Sequence, residues 1–185
     1  MVTIGYMGIP DSNSEQASID FAEKMGWTDP MLIPLVDSSG VVCALKEGRC
    51  EYGVLAVTNI TAGPVEETVK SLSGLDYEVV SDIWVPIHHC VFIKDNDVEV
   101  RHVSSHIQAL MQTRNHLESL YPDAELIEYE DTALAAEDLA KGKLSDDTAV
   151  ICRKVAGERL GLILVHENIE DRSDNMTQFH MIRLR

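Results

Sequence analysis

Hydroxyl and amide side chains recur in three widely separated segments of this chain, and they are the residues best suited to do chemistry. The segments are residues 58–63 (TNITAG), 105–112 (SHIQALMQ) and 175–179 (NMTQF). Each is predicted to lie where a strand gives way to a loop or a helix. Such groups can bind a small polar substrate and move a proton without a metal or a cofactor.

Each of these residues also has a structural explanation. Thr177 is β-branched and begins a predicted strand, which is a common place for threonine. Ser105 is suited to cap the helix that follows it. Asn59 suits a tight turn, and Gln112 follows Gln108 by about one helical turn, where it can face solvent. Taken singly, the structural explanation is the better one; the order of all three segments along one chain favours a site.

The overall charge argues against two classes of partner. The 185 residues carry a formal net charge of −16, with a pI near 4.6. There is no basic stripe to hold phosphates, so we expect neither nucleic acid nor an anionic membrane surface as a partner. No apolar run approaches the length that crosses a bilayer, and the first residues read as a strand, not a signal peptide.

The cysteines favour a reducing compartment. The four are Cys43, Cys50, Cys90 and Cys152, and none forms a C-x-x-C pair or has zinc-ligand spacing. His88 and His89 are neighbours on a predicted strand, so they point to opposite faces and are poorly placed to chelate one ion. We therefore expect a cytoplasmic protein without a metal site.

The order of predicted elements indicates an α/β fold. Strand patterns alternate with helix patterns from a first strand at Val2–Met7 to a last strand at Met176–Leu184. The apolar run Tyr52–Val57 is typical of a buried parallel strand. Pro64 is expected in the first turn of a helix. A single helix is predicted from Ser105 to about Tyr121, because Pro122 would end it.

The three segments together resemble the signatures of the prephenate dehydratase catalytic domain. Those signatures read Glu-Asn-Ser/Thr-x-x-Gly, Ser-His-Pro-Gln-Ala-Leu-x-Gln and Asn-x-Thr-Arg-Phe. The stretches 86–90 (PIHHC) and 130–136 (EDTALAA) are also similar to the family. The residues that match a signature and that the resemblance assigns to a site are Asn59, Gly63, Ser105, Gln112, Thr177 and Phe179.

The resemblance implies a fold. It is a two-lobed, prephenate dehydratase-like (periplasmic-binding-protein-like) α/β fold with a cleft between the lobes. Residues 1–185 would form one such domain, with lobe 1 at about 1–77 plus 170–185 and lobe 2 at about 82–166. No regulatory ACT domain, and hence no feedback by phenylalanine, is expected. A homodimer or homotetramer is expected through an exposed strand or helix face.

The resemblance also implies an activity, a carbon–oxygen lyase that needs no cofactor. Prephenate would lose water and carbon dioxide to give phenylpyruvate, a step of phenylalanine biosynthesis. The substrate is thus a small ring carboxylate. Thr177 is implied as the proton donor, and Asn59, Ser105 and Gln112 as hydrogen-bonding groups. Glu130 is a weaker member of the binding set.

Two substitutions open alternatives. Thr58 stands where the family has Glu, and Gln178 stands where it has Arg. A neutral Gln178 would bind a carboxylate more weakly than an arginine, which predicts weak prephenate binding that Gln178→Arg would improve. The loss of both charges also suits an enzyme of secondary metabolism acting on another ring substrate, such as a prephenate decarboxylase or a tropone-type pathway enzyme. A non-catalytic small-molecule binding protein is the third possibility.

Overall fold

Strands and helices alternate along the chain, and the α/β class is confirmed. The computed structural model describes all residues from 1 to 185. By contacts the chain divides into unit 1 (residues 1–86 and 176–185) and unit 2 (residues 87–175). In chain order the elements are β1 (Thr3–Tyr6), α1 (Asn13–Lys24), β2 (Met31–Pro34), α2 (Ser38–Lys46), β3 (Tyr52–Asn59), β4 (Gly63–Pro64), α3 (Glu66–Leu72), β5 (Tyr77–Pro86), β6 (Cys90–Ile93), β7 (His102–Ser105), α4 (Ile107–Gln112), α5 (Arg114–Leu120), β8 (Glu125–Glu128), α6 (Thr132–Ala140), β9 (Thr148–Cys152), α7 (Lys154–Arg159), β10 (Ile163–His166) and β11 (Met176–Leu184).

Unit 1 is built on a mixed sheet with strand order β2-β1-β3-β11-β5, and the short β4 pairs with β3. β1 runs parallel to β2 and β3, whereas the last strand, β11, is inserted antiparallel between β3 and β5. Helix α2 packs so closely on β3 that Gly53 has no room for a side chain. A Cβ atom at that position would lie 2.7 Å from Val41 Cγ1. The insertion of β11 brings the third signature segment beside the first.

Unit 2 has a second sheet, with strand order β10-β6-β9-β7-β8. β7 runs parallel to β8 and β9, and β6 runs antiparallel to β9 and β10. Its apolar core includes Val91, Val103, Leu117 and Ile151, all of which are almost fully buried. Every residue of β9 is buried, as expected for a central strand of a sheet covered on both faces.

Two local predictions were wrong. The helix expected from Ser105 to Tyr121 is two short helices, because α4 ends at Gln112 and α5 begins at Arg114. Asp171 explains the break: its carboxylate accepts hydrogen bonds from the N–H groups of Asn115 and His116 and caps the new helix start. Pro64 lies in β4, not in a helix. None of the helices is long and apolar enough to cross a membrane.

Candidate functional site

The first candidate cluster lies on neighbouring strands of unit 1. Thr177 of β11 is directly opposite Asn59, the last residue of β3. Both residues are buried. The Asn59 side chain donates from Nδ2 to Thr177 Oγ1 over 3.0 Å and to the Met176 carbonyl over 2.9 Å. Two signature residues that lie 118 positions apart in sequence therefore share a hydrogen bond.

The orientation of the Asn59 amide is set by its other bonds. Asn59 Oδ1 accepts hydrogen bonds from the backbone N–H groups of Thr61 and Ala62 over 2.8 and 2.9 Å. Gly63 closes this turn with a φ of +79° and pairs with Asn59 in register. Because the oxygen is held by the turn, the nitrogen must point to Thr177. Asn59 thus serves both as the turn residue predicted from its type and as the partner of Thr177.

The consequence for Thr177 is that its hydroxyl has a defined direction. Thr177 Oγ1 accepts the bond from Asn59, which leaves the Thr177 hydroxyl proton available for donation. An N–H group that donates to an oxygen also stabilises negative charge on that oxygen, so it makes the hydroxyl a better proton donor. The arrangement suits proton transfer to a substrate oxygen.

The adjacent cross-strand pair is formed by the two substituted positions. Gln178 is directly opposite Thr58, and on its other side it is opposite Trp84 of β5. Because successive side chains on a strand alternate, Gln178 and Thr58 face the side of the sheet opposite to Thr177 and Asn59. Gln178 Nε2 donates to Asp82 Oδ2 over 3.2 Å at an exposed position. The structure therefore does not bring Gln178 to Thr177. Phe179 is a core residue with 1% of its surface exposed.

The second cluster lies within unit 2, around Gln112. The side chain of Gln112 is buried, not turned to solvent. Its Oε1 atom is 2.8 Å from His89 Nε2 and accepts a bond from Asn175 Nδ2 over 2.7 Å. Since this oxygen accepts from both neighbours, His89 donates from Nε2. The amide hydrogens on Gln112 Nε2 are then the part of the side chain left to bind another oxygen.

Burial governs the electrostatics of this cluster. Burial lowers the pKa of His89, so its imidazole is neutral at neutral pH. The backbone N–H of His89 donates to Glu170 Oε2 over 3.0 Å, and His88 Nδ1 is 2.8 Å from Glu170 Oε1. Burial opposes ionisation of Glu170, but these hydrogen bonds outweigh it and lower the pKa of the carboxyl. The side chain of His88 is 59% exposed whereas His89 is buried. The two histidines lie in the connection between β5 and β6, not on the strand predicted for them.

Ser105 and Glu130 were also predicted for the site, but neither is one of the hydrogen-bond partners of the Gln112 side chain. Ser105 is fully buried, and its hydroxyl donates to the Ile151 carbonyl over 2.7 Å. It does not cap α4, which has His106 at that position. Glu130 is exposed and directly precedes Asp131, the N-cap of α6. Arg172, the nearest basic residue before Thr177 in sequence, is held by Asp174 through two hydrogen bonds of 2.8 and 2.9 Å.

Sequence reasoning missed His89 and Asn175 as parts of this cluster. Both had a signal: Asn175 opens the third signature segment, and His89 lies in the PIHHC stretch. The sequence did not show that either residue bonds Gln112, because His89 lies 23 residues and Asn175 lies 63 residues away from it along the chain.

Comparison with known proteins identifies relatives that match nearly the whole chain. Residues 4–185 match the profile of the family described as prephenate dehydratase. A bifunctional chorismate mutase/prephenate dehydratase from Aquifex aeolicus is 31% identical over 186 residues, which cover 100% of this chain and 49% of the relative. Arogenate dehydratase 5, chloroplastic, from Arabidopsis thaliana is 30% identical over 182 residues, which cover 97% of this chain and 41% of the relative. The chain thus spans about half the length of these curated relatives.

A solved structure has the same fold. The crystal structure of prephenate dehydratase from Arthrobacter aurescens, in complex with L-Phe, superposes with a TM-score of 0.80 at 23% identity. The superposition covers 100% of this chain and 60% of that one. The comparisons do not favour the enzyme of secondary metabolism or the non-catalytic binding protein that the sequence left open.

Proposed function

This chain belongs to the prephenate dehydratase family, and on that premise we propose that it is a lyase that converts prephenate into phenylpyruvate, water and carbon dioxide. The observation that carries the proposal is the hydrogen bond from Asn59 Nδ2 to Thr177 Oγ1. This bond joins two signature positions, and it leaves the hydroxyl proton of Thr177 available for donation to a substrate.

The reaction needs one proton. The ring carboxylate leaves as carbon dioxide, and the electron pair of the broken C–C bond enters the ring. The ring hydroxyl leaves on the opposite carbon as the ring becomes aromatic. A bare hydroxide is a poor leaving group, so a proton must reach that oxygen as the C–O bond breaks, and water is the product. The dianion of prephenate plus one proton gives the phenylpyruvate anion, water and carbon dioxide.

Thr177 is the group that we assign to this proton transfer. Its hydroxyl donates to the leaving oxygen, and the bond from Asn59 stabilises the charge that develops on Thr177 Oγ1. The proton is then replaced from water. Asn59 acts through Thr177, because its own oxygen is engaged by the 59–62 turn.

Gln112 is the second group that we assign to the reaction, as a neutral donor to a substrate carboxylate. Its Oε1 atom is engaged by His89 and Asn175, so Nε2 carries the hydrogens that remain. An amide binds a carboxylate less strongly than an arginine does, but a buried donor is not weakened by competing water. No redox cofactor is called for, since aromatisation supplies the driving force.

Arogenate is a second candidate substrate, favoured by the name of the Arabidopsis relative. Arogenate has the same ring but carries an ammonium group in place of the keto group, so it has one negative charge less than prephenate. A chain with a net charge of −16 repels a dianion more than a substrate with a compensating cation. Competition between the two substrates in one reaction separates these candidates.

Two further parts of the proposal concern the cellular context. Location in a reducing cytoplasm is supported by four free cysteines, three of them buried.

Self-association is supported by β8, which forms an edge of the unit 2 sheet with all four residues exposed. Light scattering at increasing protein concentration tests the second point, and a monomer at all concentrations would exclude it.

The activity is tested by incubating the purified chain with prephenate or arogenate and quantifying phenylpyruvate and phenylalanine. We expect product from at least one substrate, and far less from the Thr177→Ala variant. Product formation that is no faster than in a reaction without protein, for both substrates, would overturn the proposal.

A further inference from the structure

The bonds around Gln112 select one of the two orientations of its amide. An amide side chain can turn by half a rotation and exchange its oxygen and nitrogen. Here two donors, His89 Nε2 and Asn175 Nδ2, converge on the same atom over 2.8 and 2.7 Å. A turned amide would place its N–H group against the Asn175 N–H group, and that buried bond would be lost. His89 would then bond the turned amide only with its proton on Nδ1, where Nε2 accepts.

The two donors are themselves fixed within unit 2. The backbone of His89 is held on both sides, because its N–H donates to Glu170 and its carbonyl accepts from the Ile169 N–H over 3.0 Å. Asn175 is held by a hydrogen bond from its N–H to the Arg172 carbonyl over 3.1 Å. The Gln112 carbonyl accepts from the Asp171 N–H over 2.8 Å. The segment 169–175 therefore ties the end of α4 to the start of β6.

We propose that His89 and Asn175 are positioning residues that hold the Gln112 amide with its Nε2 hydrogens directed at the substrate. This inference rests on the proposed function, from which it takes the binding role of Gln112. Neither residue needs to touch the substrate: each acts through the oxygen of Gln112. A neutral imidazole suits this role, because its Nε2 hydrogen is the only one that it donates.

The first experiment removes and restores the donor of His89. His89→Leu removes the Nε2 hydrogen and should raise the KM for the accepted substrate about tenfold while kcat changes less than about twofold, as expected for a lost binding hydrogen bond. His89→Gln places an amide N–H near the position of the imidazole Nε2 and should restore most of the binding. The matched control is His102→Gln, a half-buried histidine on β7 that bonds Asp147. A KM that is unchanged in His89→Leu would overturn the inference.

The second experiment asks whether His89 acts through Gln112. In a Gln112→Ala background, His89→Leu should raise the KM no further, because the amide that it positions is gone. Independent, multiplying effects of the two substitutions would overturn the inference. If Gln112→Ala raises the KM and His89→Leu does not, only the positioning role fails. If Gln112→Ala leaves the KM unchanged, the proposed role of Gln112 fails and the inference fails with it.

A third measurement does not depend on activity. Nitrogen-15 NMR of the histidine rings should show one protected Nε2–H tautomer that disappears in His89→Gln and shifts in Gln112→Ala. Asn175→Asp places an acceptor beside Gln112 Oε1, so it should turn the amide and move the same resonance. A His89 ring protonated on Nδ1 instead would contradict the geometry on which the proposal stands.

Discussion

Thr177–Asn59 and Gln178–Thr58 are neighbouring cross-strand pairs of the same two strands, yet they differ in chemistry and in the side of the sheet that they face. The first pair keeps the residues of the family signatures and joins them by a 3.0 Å hydrogen bond. The second pair has lost both residues of the signatures and lies where Gln178 bonds the exposed Asp82. One signature of five residues thus serves two faces of a sheet.

The comparison changes the meaning of the two substitutions. A Glu at position 58 and an Arg at position 178 would be directly opposed across the ladder and would form an ion pair. Replacing both by Thr and Gln leaves no unpaired charge. An exposed pair of this kind contributes about 0.2–1 kcal/mol, so its loss affects the sheet slightly and does not reach the face of Thr177. The substitutions are therefore weak evidence for a changed reaction.

The largest effect is expected at Thr177. Thr177→Ala should lower kcat by about 10²–10⁴, which is the usual contribution of a positioned general acid. The melting temperature should change little, and circular dichroism should match the parent chain. Thr177→Ser keeps the hydroxyl and is the control. Near-normal turnover in Thr177→Ala would show that the Asn59–Thr177 pair is structural.

Asn59 should show an intermediate effect that can be divided into two parts. Asn59→Ala removes the bond to Thr177 and also leaves the Thr61 and Ala62 N–H groups without an acceptor, so both kcat and stability should fall, the latter by about 1–3 kcal/mol. Asn59→Asp keeps the acceptor for the turn and removes the donors to Thr177. It should retain more stability than Asn59→Ala while kcat still falls about 10-fold or more. Denaturant unfolding and steady-state kinetics check the two parts.

A smaller effect distinguishes the two polar clusters by pH. The Asn59–Thr177 pair contains no group that titrates near neutrality, whereas His89 is buried with a lowered pKa. The unfolded chain therefore binds a proton at His89 at a higher pH than the folded chain does, and this contribution to stability is lost as the pH falls below about 6.5. Between pH 7.5 and 5, the melting temperature should decline less steeply for the His89→Gln variant than for the parent chain. Equal slopes would refute the assignment of this proton to His89.

The smallest effect is expected at the substituted pair. Gln178→Arg with Thr58→Glu should add about 0.2–1 kcal/mol of stability at low salt and change the KM less than about twofold. The sequence alone predicted the opposite, that the arginine would improve prephenate binding. A KM that falls several-fold in the double variant, but not in Gln178→Lys with Thr58→Glu, would restore a binding role for position 178.

Much of the local structure around the candidate site could be predicted from the sequence, because the relevant signals are local. Asn59 and Gly63 are residue types that favour a turn, and the apolar run before them is typical of a buried strand. The last strand was predicted at Met176–Leu184 and is observed there. The single helix over 105–121 failed because its break depends on Asp171, which lies 56 residues from Asn115. A pattern within a window cannot contain a cap supplied from elsewhere.

The sequence by itself determined the α/β class, the family and the identity of the polar residues of the candidate site. Periodicity, turn residues and signatures are all local features that can be read from the order of residues along the chain. Only the tertiary structure decided which of those residues contact one another. The insertion of β11 beside β3 paired Thr177 with Asn59, and the register of that pairing turned Gln178 to the other face. Burial then joined the Ser105 hydroxyl to the Ile151 carbonyl and the Gln112 side chain to His89 and Asn175. Register and burial depend on contacts between distant segments, so no single segment could specify them.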